Sequence, residues 1–259
     1  VCVMAEDAEL FLNAPFNAED KVANAGSAAF AAKAGVAAVT TADTVAAAKQ
    51  AASIVALLPA NNLAGPALFD FAAPSKALDL VKYSAADAIA ALADEGSTVE
   101  LYAGYGKNIV TALATINGSA VGILATEKAA LCHKCTAKAA RFVRLCDDLQ
   151  HPRCDRRQQP RGYGKSEGDD QAGGIRQAAR MAGVYAEATT VKVAVLAGEA
   201  VGPAYTVFAA CADWRVAVQG CTVAPLAPEA AVTVLYKDEI FASDNIVNAT
   251  KAKAAAYAK

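Results

Sequence analysis

Histidine is almost missing from this chain of 259 residues, with only His133 and His151 present. Neither stands in a nucleophile-elbow or serine-protease-like context, which excludes a Ser–His hydrolase. A surplus of charge is also missing: 24 Lys and Arg face 26 Asp and Glu, for a net charge of −2. No global field therefore draws the chain to nucleic acid or to an anionic membrane. Long apolar runs are absent too. VKVAVLAG (191–198) is among the longest and is far too short to cross a bilayer. The start has no charged segment followed by an apolar one, so no signal peptide is expected. Cysteine is present in an odd number, seven, which does not suit a disulfide framework. Reduced thiols in a cytosolic protein are expected. The first residue is Val1, and VCVMAEDAELF opens as if inside a strand, so a chain cut from a longer one is expected.

What is abundant is apolar: 55% of residues are hydrophobic, enough to bury a core. Residues 6–18 read as a short apolar piece and a turn, and residues 23–35 are helical in composition. Residues 41–59 read as a helix with Thr44 as N-cap, an apolar stripe of Val45, Ala48, Ala52, Val55 and Leu58, and Pro59 as its stop. LLPANNLAGPALFDFAAPSK (57–76) is a Pro-, Gly- and Asn-rich connector that predicts a domain boundary. Residues 84–97 predict a helix capped by Ser84 and closed by Gly96. IVTALATI and SAVGILAT, joined by Asn117-Gly118, predict a hairpin with a type I′ turn, because both turn residues must accept positive φ.

Further along, residues 136–149 predict a helix with Ala139, Phe142, Val143, Cys146 and Leu149 on one face. Residues 175–189 predict another helix, 191–198 a buried strand, 202–212 a short helix and 214–219 a strand. Residues 228–240 predict a helix with Pro228 at its first position. Strand and helix alternate, which argues for an α/β layered fold. Between the helices ending near 149 and starting near 175, that alternation demands a buried strand. The sequence instead has HPRCDRRQQPRGYGKSEGDD (151–170), with four arginines.

Several chemistries compete for these residues. Cys132-His133-Lys134-Cys135 followed by His151-Pro152-Arg153-Cys154 has the spacing of a Cys₃His zinc ribbon. The fifteen residues between the pairs read as one helix, which at ~1.5 Å per residue holds the pairs ~20 Å apart. Ordinary thiols and no metal are therefore expected. The basic stretch 151–165 has one aromatic, Tyr163, and reads as a solvated loop without a nucleic-acid partner. Two glycine turns lead into helices: Gly173-Gly174-Ile175, and Gly202-Pro203-Ala204-Tyr205 after the 191–198 strand. Open N–H groups at such starts can hold an oxyanion without any ionisable side chain, although a tight strand-to-helix turn is the commoner reason for such glycines.

Taken in order, YGKNIVTALATINGSAVGILA, KAARFVRLCDDL, GGIRQAARMAGVYAEATTVKVAVLAGEAVGPAYTVFA and APEAAVTVLYKDEI resemble the carboxyltransferase subunit of biotin-dependent acyl-CoA carboxylases and decarboxylases. Propionyl-CoA carboxylase and methylmalonyl-CoA decarboxylase are the nearest kinds. The resemblance runs from about 104 to 240, and residues 26–62, with Leu58-Pro59-Ala60-Asn61-Asn62, resemble the close of that family's N-terminal domain. It implies an α/β crotonase-like fold of repeated ββα units. Residues 1–75 would be the remnant of a first, acyl-CoA-side domain, and 76–259 the second, biotin-side domain.

The implied activity is transfer of a carboxyl group between carboxybiotin and an acyl-CoA, with backbone N–H groups stabilising the developing oxyanions. Biotin would arrive on a separate carrier protein, and a coenzyme A thioester would be the substrate. The implied partners are the biotin carboxyl carrier protein and biotin carboxylase or membrane decarboxylase subunits. A homo-oligomer built from dimers, up to a hexamer, is implied, in the cytoplasm or at a membrane through partner subunits. The family's G-G-A-Y helix start maps onto Gly202, Pro203, Ala204 and Tyr205. Pro203 has no N–H, so Gly202 or Ala204 would donate, with Ala204 favoured. Gly162, Tyr163, Gly173, Gly174 and Tyr205 would form the biotin side, with Gly173 and Gly174 opening the adjoining helix, and Tyr185, Tyr205 and Glu229 would pack and cap rather than catalyse.

The resemblance breaks at CDRRQQPRG (154–162), where the family has an apolar strand ending in an N-x-P-G-like turn. For one choice of codons, the same bases read one position later encode VTVVNNPGV, so a strand in this place, displaced in frame, is expected. Two other readings stay open: a non-catalytic scaffold subunit or inactive fragment, and a crotonase-fold hydratase using Glu187 or Glu199 as base.

Overall fold

The computed structural model describes residues 1–14, 16, 19, 21–77, 84–127, 129–149, 167–202 and 205–257, and the backbone of 153–157. The chain opens with β1 (Val3–Ala5), α1 (Ala28–Lys33), β2 (Val39–Thr41) and α2 (Thr44–Leu57). The connector of residues 58–77 carries no helix or strand and touches the hairpin through a bridge between Leu68 and Ser119. Then come α3 (Ala85–Ala90), β3 (Val99–Leu101), β4 (Ile109–Ile116), β5 (Ser119–Thr126), α4 (His133–Asp148) and β6 (Arg153–Arg157). The last part holds α5 (Glu167–Gln171), α6 (Gly174–Glu187), β7 (Lys192–Leu196), β8 (Glu199–Val201) and a π-helical turn, Tyr205–Ala209. It closes with β9 (Trp214–Ala217), β10 (Thr222–Ala224), α7 (Pro228–Leu235), α8 (Lys237–Phe241) and α9 (Ile246–Tyr257).

The main sheet has six strands in the order β3-β4-β5-β6-β7-β9. β3, β4 and β5 are antiparallel neighbours, whereas β5, β6, β7 and β9 run parallel. Asn117 and Gly118 turn the β4–β5 hairpin at φ 52° and 76°, the double positive φ that a type I′ turn requires. The strand demanded between the helices at 149 and 175 is there. β6 sits inside the sheet, with Cys154 opposite Ile123 on β5 and Val193 on β7. Inner parallel strands normally read as apolar runs, because helices cover both faces. RCDRR is therefore the element whose composition departs furthest from its position.

One face of the sheet packs on α4 and α6. Leu113, Leu124, Ala139, Phe142, Val143, Cys146, Met181, Val184 and Tyr185 form its core, and Ile54 and Leu57 of α2 join the same cluster. On the other face, Ala85 and Ile89 of α3 meet Ala112, Ala114, Ile123 and Ala125. Ser84 caps α3 as expected, in a capping box with Asp87.

Four local expectations are corrected. Asp43, not Thr44, caps α2, its carboxylate accepting the Ala46 N–H at 2.7 Å. The stripe of Val45, Ala48, Ala52 and Val55 faces outward, while Ile54 and Leu57 are buried. α2 is apolar nearly all round, so periodicity did not single out the inner face. α3 stops at Ala90, with Ala91 as C-cap, and Gly96 (φ 73°) belongs to the following turn. The helix expected over 228–240 is two, α7 and α8, parted at Tyr236 (φ −119°, ψ 31°). Pro228 does occupy the first turn of α7. Among the described residues, no helix is long and apolar enough to cross a membrane.

Candidate active site

The parallel strands place the site. Thr126, Arg157, Leu196 and Ala217 lie in one register row across β5, β6, β7 and β9, so the four strands end at a common carboxyl edge. Each connection that follows starts from that edge: α4 after β5, α6 after β6, and the π-helical turn after β7. In parallel α/β sheets, ligands bind beyond the carboxyl ends of the strands, where helix starts present unpaired N–H groups. Gly173 and Gly174 follow β6 by way of α5, and Gly202 and Tyr205 follow β7 by way of β8.

Gly173 is the N-cap of α6 in the left-handed conformation (φ 78°, ψ 37°). Its N–H donates to the Asp170 carbonyl at 3.0 Å, and its own carbonyl accepts the Gln177 N–H at 3.0 Å. Gly174 is packed so tightly that a Cβ there would stand 2.9 Å from the Asp169 carbonyl oxygen. Gly202 (φ 59°) is the opposite case, since among the described residues a Cβ would meet nothing nearer than the Pro225 carbonyl oxygen at 3.9 Å. The Gly202 N–H donates to the Ala224 carbonyl at 3.2 Å, and its carbonyl accepts the Thr206 N–H at 3.1 Å. The Gly202 amide is thus already bonded within the fold. Tyr205 is half-buried against Ala194, Leu196, Ala200, Ala209 and Ala212, a packing role. Ala204, Gly162 and Tyr163 lie outside the described residues.

Tyr185 is buried and meets Phe208 edge-on at 5.3 Å, and Glu229 lies in the first turn of α7. Glu187 is exposed at the end of α6, which runs back to the start of β7, so it sits away from the carboxyl edge. α4 likewise puts Cys132 and Cys135 at the carboxyl edge and the start of β6 at the other, with the length of the helix between them.

Three features had no clear signal in the sequence. His133 Nδ1 pairs with the Asp169 carboxylate, and the His133 N–H also donates to it at 3.3 Å. This ties the start of α4 to the segment leading into α6 across 36 residues of chain. Lys138 is 2% exposed, donates to the Ile109 carbonyl at 2.7 Å, and is pushed down to about 8 by burial. Beside it a cavity of about 320 Å³ is lined by Tyr102, Tyr105, Lys138, Arg141 and Arg180. The Arg141 guanidinium sits 4.8 Å above the Tyr102 ring and donates to the Gly35 carbonyl at 2.9 Å.

A half-parallel sheet with helices on both faces, and helix starts gathered at one edge, is a mixed α/β architecture of the crotonase-like class. The chain belongs to the carboxyl transferase domain family, whose profile it matches over residues 16–259. It is 35% identical over 172 residues to the methylmalonyl-CoA carboxyltransferase 12S subunit of Propionibacterium freudenreichii subsp. shermanii, covering 63% of this chain and 32% of that one. It is 32% identical over 162 residues to the human mitochondrial propionyl-CoA carboxylase beta chain, covering 60% and 30%. A transcarboxylase 12S crystal structure with methylmalonyl-CoA and methylmalonic acid bound superposes with a TM-score of 0.86 at 28% identity, covering 98% of this chain and 54% of that one. The matched part is thus about a third of the length of these curated relatives.

Proposed function

We propose that this chain is part of a carboxyltransferase that moves a carboxyl group between carboxybiotin and an acyl-CoA of the propionyl-CoA or methylmalonyl-CoA class. The observation that carries the proposal is that Gly173 and Gly174 follow the parallel strand β6, and Gly202 follows β7 by way of β8, in a member of this family. Biotin, brought by a carrier protein, fits this edge because among the described residues only the Pro225 carbonyl oxygen comes near a Cβ at Gly202, so a flat ring can approach the backbone there. When bound, the carboxylated group supplies an activated carboxyl. The chain contributes backbone donors. Pro203 has no N–H and the Gly202 N–H is taken by Ala224, so the developing oxyanion is assigned to the Ala204 N–H, and the family resemblance adds Gly162 and Tyr163 to the biotin side. Gly173 and Gly174 set the start of α6 against Asp169 and so fix the wall of the site.

In this reading residues 1–75 close an acyl-CoA-side domain and residues 76–259 form the biotin-side domain. The protein works in the cytoplasm as a dimer-based homo-oligomer. Its partners are the biotin carrier and either biotin carboxylase or membrane decarboxylase subunits. The test is to incubate the protein with labelled carboxybiotin and propionyl-CoA and to follow label into the CoA ester, alongside binding to a biotin carrier protein. Transfer is expected. No transfer and no carrier binding would overturn the proposal and favour a non-catalytic scaffold, a reading supported by the charged run in β6 where the fold calls for an apolar strand.

A further inference from the structure

The first turn of α4 carries a pair of cysteines that nothing in carboxyl transfer uses. Cys132 is the N-cap of α4 and is half-exposed, whereas Cys135 is fully buried one turn on. Both are free thiols, and their sulfurs lie 3.1 Å apart. The C-x-x-C spacing opens the crossover helix of a βαβ unit, since β5 and β6 are parallel and α4 joins them. That context is where such a spacing reads as a redox pair. The turn is held from behind: a Cβ on Gly106 would stand 2.9 Å from the Lys134 carbonyl oxygen and 3.0 Å from Cys135 Cα, so the backbone packs directly on it.

We propose that Cys132 and Cys135 form a thiol–disulfide exchange site, with Cys132 as the attacking sulfur and Cys135 as the resolving one. Three observations agree with these roles. Cys132 is partly exposed, whereas Cys135 is buried. The inner thiol is placed to donate to the outer sulfur, which stabilises Cys132 as a thiolate and holds Cys135 protonated. The Cys132 thiol is accordingly lowered to about 6, first by Cys135 and, against the cost of burial, by the N–H groups of Cys135 and Lys134, while that of Cys135 is raised.

The oxidant is a low-molecular-weight disulfide such as oxidised glutathione. The Cys132 thiolate attacks one of its sulfurs, the S–S bond breaks, and one thiolate leaves and takes a proton from solvent. Cys135 then gives its proton to solvent and attacks Cys132 Sγ. The protein disulfide forms and the second small thiolate leaves and is protonated. Two protein thiols are oxidised and one small disulfide is reduced to two thiols.

The test uses the whole protein and is independent of carboxyl transfer. At pH 7, iodoacetamide is expected to label Cys132 about tenfold faster than the comparably exposed Cys2 and Cys211. Oxidised glutathione is expected to yield a Cys132–Cys135 cross-linked peptide that reduced glutathione reverses. Cys135→Ser is expected to trap a glutathione mixed disulfide on Cys132, and Cys132→Ser to form neither product. Labelling of Cys132 no faster than Cys2 and Cys211, or persistence of both thiols in oxidised glutathione, would overturn the proposal. Both of these readings come from the unsubstituted protein, so they stand even where a variant fails to fold.

Discussion

The Asp94 carboxylate accepts the backbone N–H of Gly118 at 2.7 Å, with a second bond from the Asn117 N–H at 2.9 Å and a third from the Thr115 hydroxyl at 2.8 Å. One buried side chain thus holds the tip of the β4–β5 hairpin. Burial by itself raises the Asp94 pKa, but the three donors outweigh it and hold the carboxyl below its usual value. Asp94→Ala leaves those donors without their acceptor and is expected to cost about 3 kcal/mol in urea unfolding. A carboxyl depressed in the fold contributes stability that is present above its unfolded value and lost as pH falls through its folded value. The unfolding midpoint is therefore expected to drop below about pH 4, and Asp94→Asn to flatten that drop.

Lys138 gives a linkage of the same sign in the alkaline range. Its ammonium is lowered to about 8 by burial, so between that value and the unfolded value of about 10.4 the unfolded chain binds the extra proton. Stability is expected to rise with pH across that window. Lys138→Met removes the buried ammonium and is expected to remove the rise, read as the difference between the two proteins' melting temperatures at pH 7.5 and pH 10.

The approach of α4 to the sheet depends on Gly122, where a Cβ would stand 2.4 Å from Cys146 Sγ and 3.2 Å from Phe142 Cζ. Gly122→Ala is expected to cost about 2 kcal/mol by overpacking. Adding Cys146→Ala is expected to recover about 1 kcal/mol of that, a coupling that a double-mutant cycle measures directly. Strict additivity would show that α4 shifts as a body instead.

β6 supplies the sharpest test of sequence against fold. Its backbone is paired on both sides by parallel strands, a position that elsewhere takes apolar β-branched residues. Substituting C154V, D155T, R156V and R157V together is expected to raise stability by about 3 kcal/mol or more, seen as a higher melting temperature and soluble yield. Resequencing the gene across codons 153–162 is expected to show bases that encode an apolar strand when read one position later.

Much of the local structure was legible because its causes are local. Asn117-Gly118 tolerates two positive φ angles, Ser84 and Asp87 satisfy each other's backbone donors, and Pro228 fits a first helical turn, whatever surrounds them. Strand–helix alternation even demanded β6 from residues that do not look like a strand. Tertiary structure alone decided which face of α2 is inner, since Val45 and Val55 are as apolar as the buried Ile54 and Leu57. It alone brought His133 to Asp169, buried Lys138, and bonded the Gly202 N–H to Ala224. These depend on which surfaces meet across tens of residues, and neither periodicity nor capping chemistry carries that information. The sequence by itself determined the elements and their order, and the packing determined which of their polar groups remain available for chemistry.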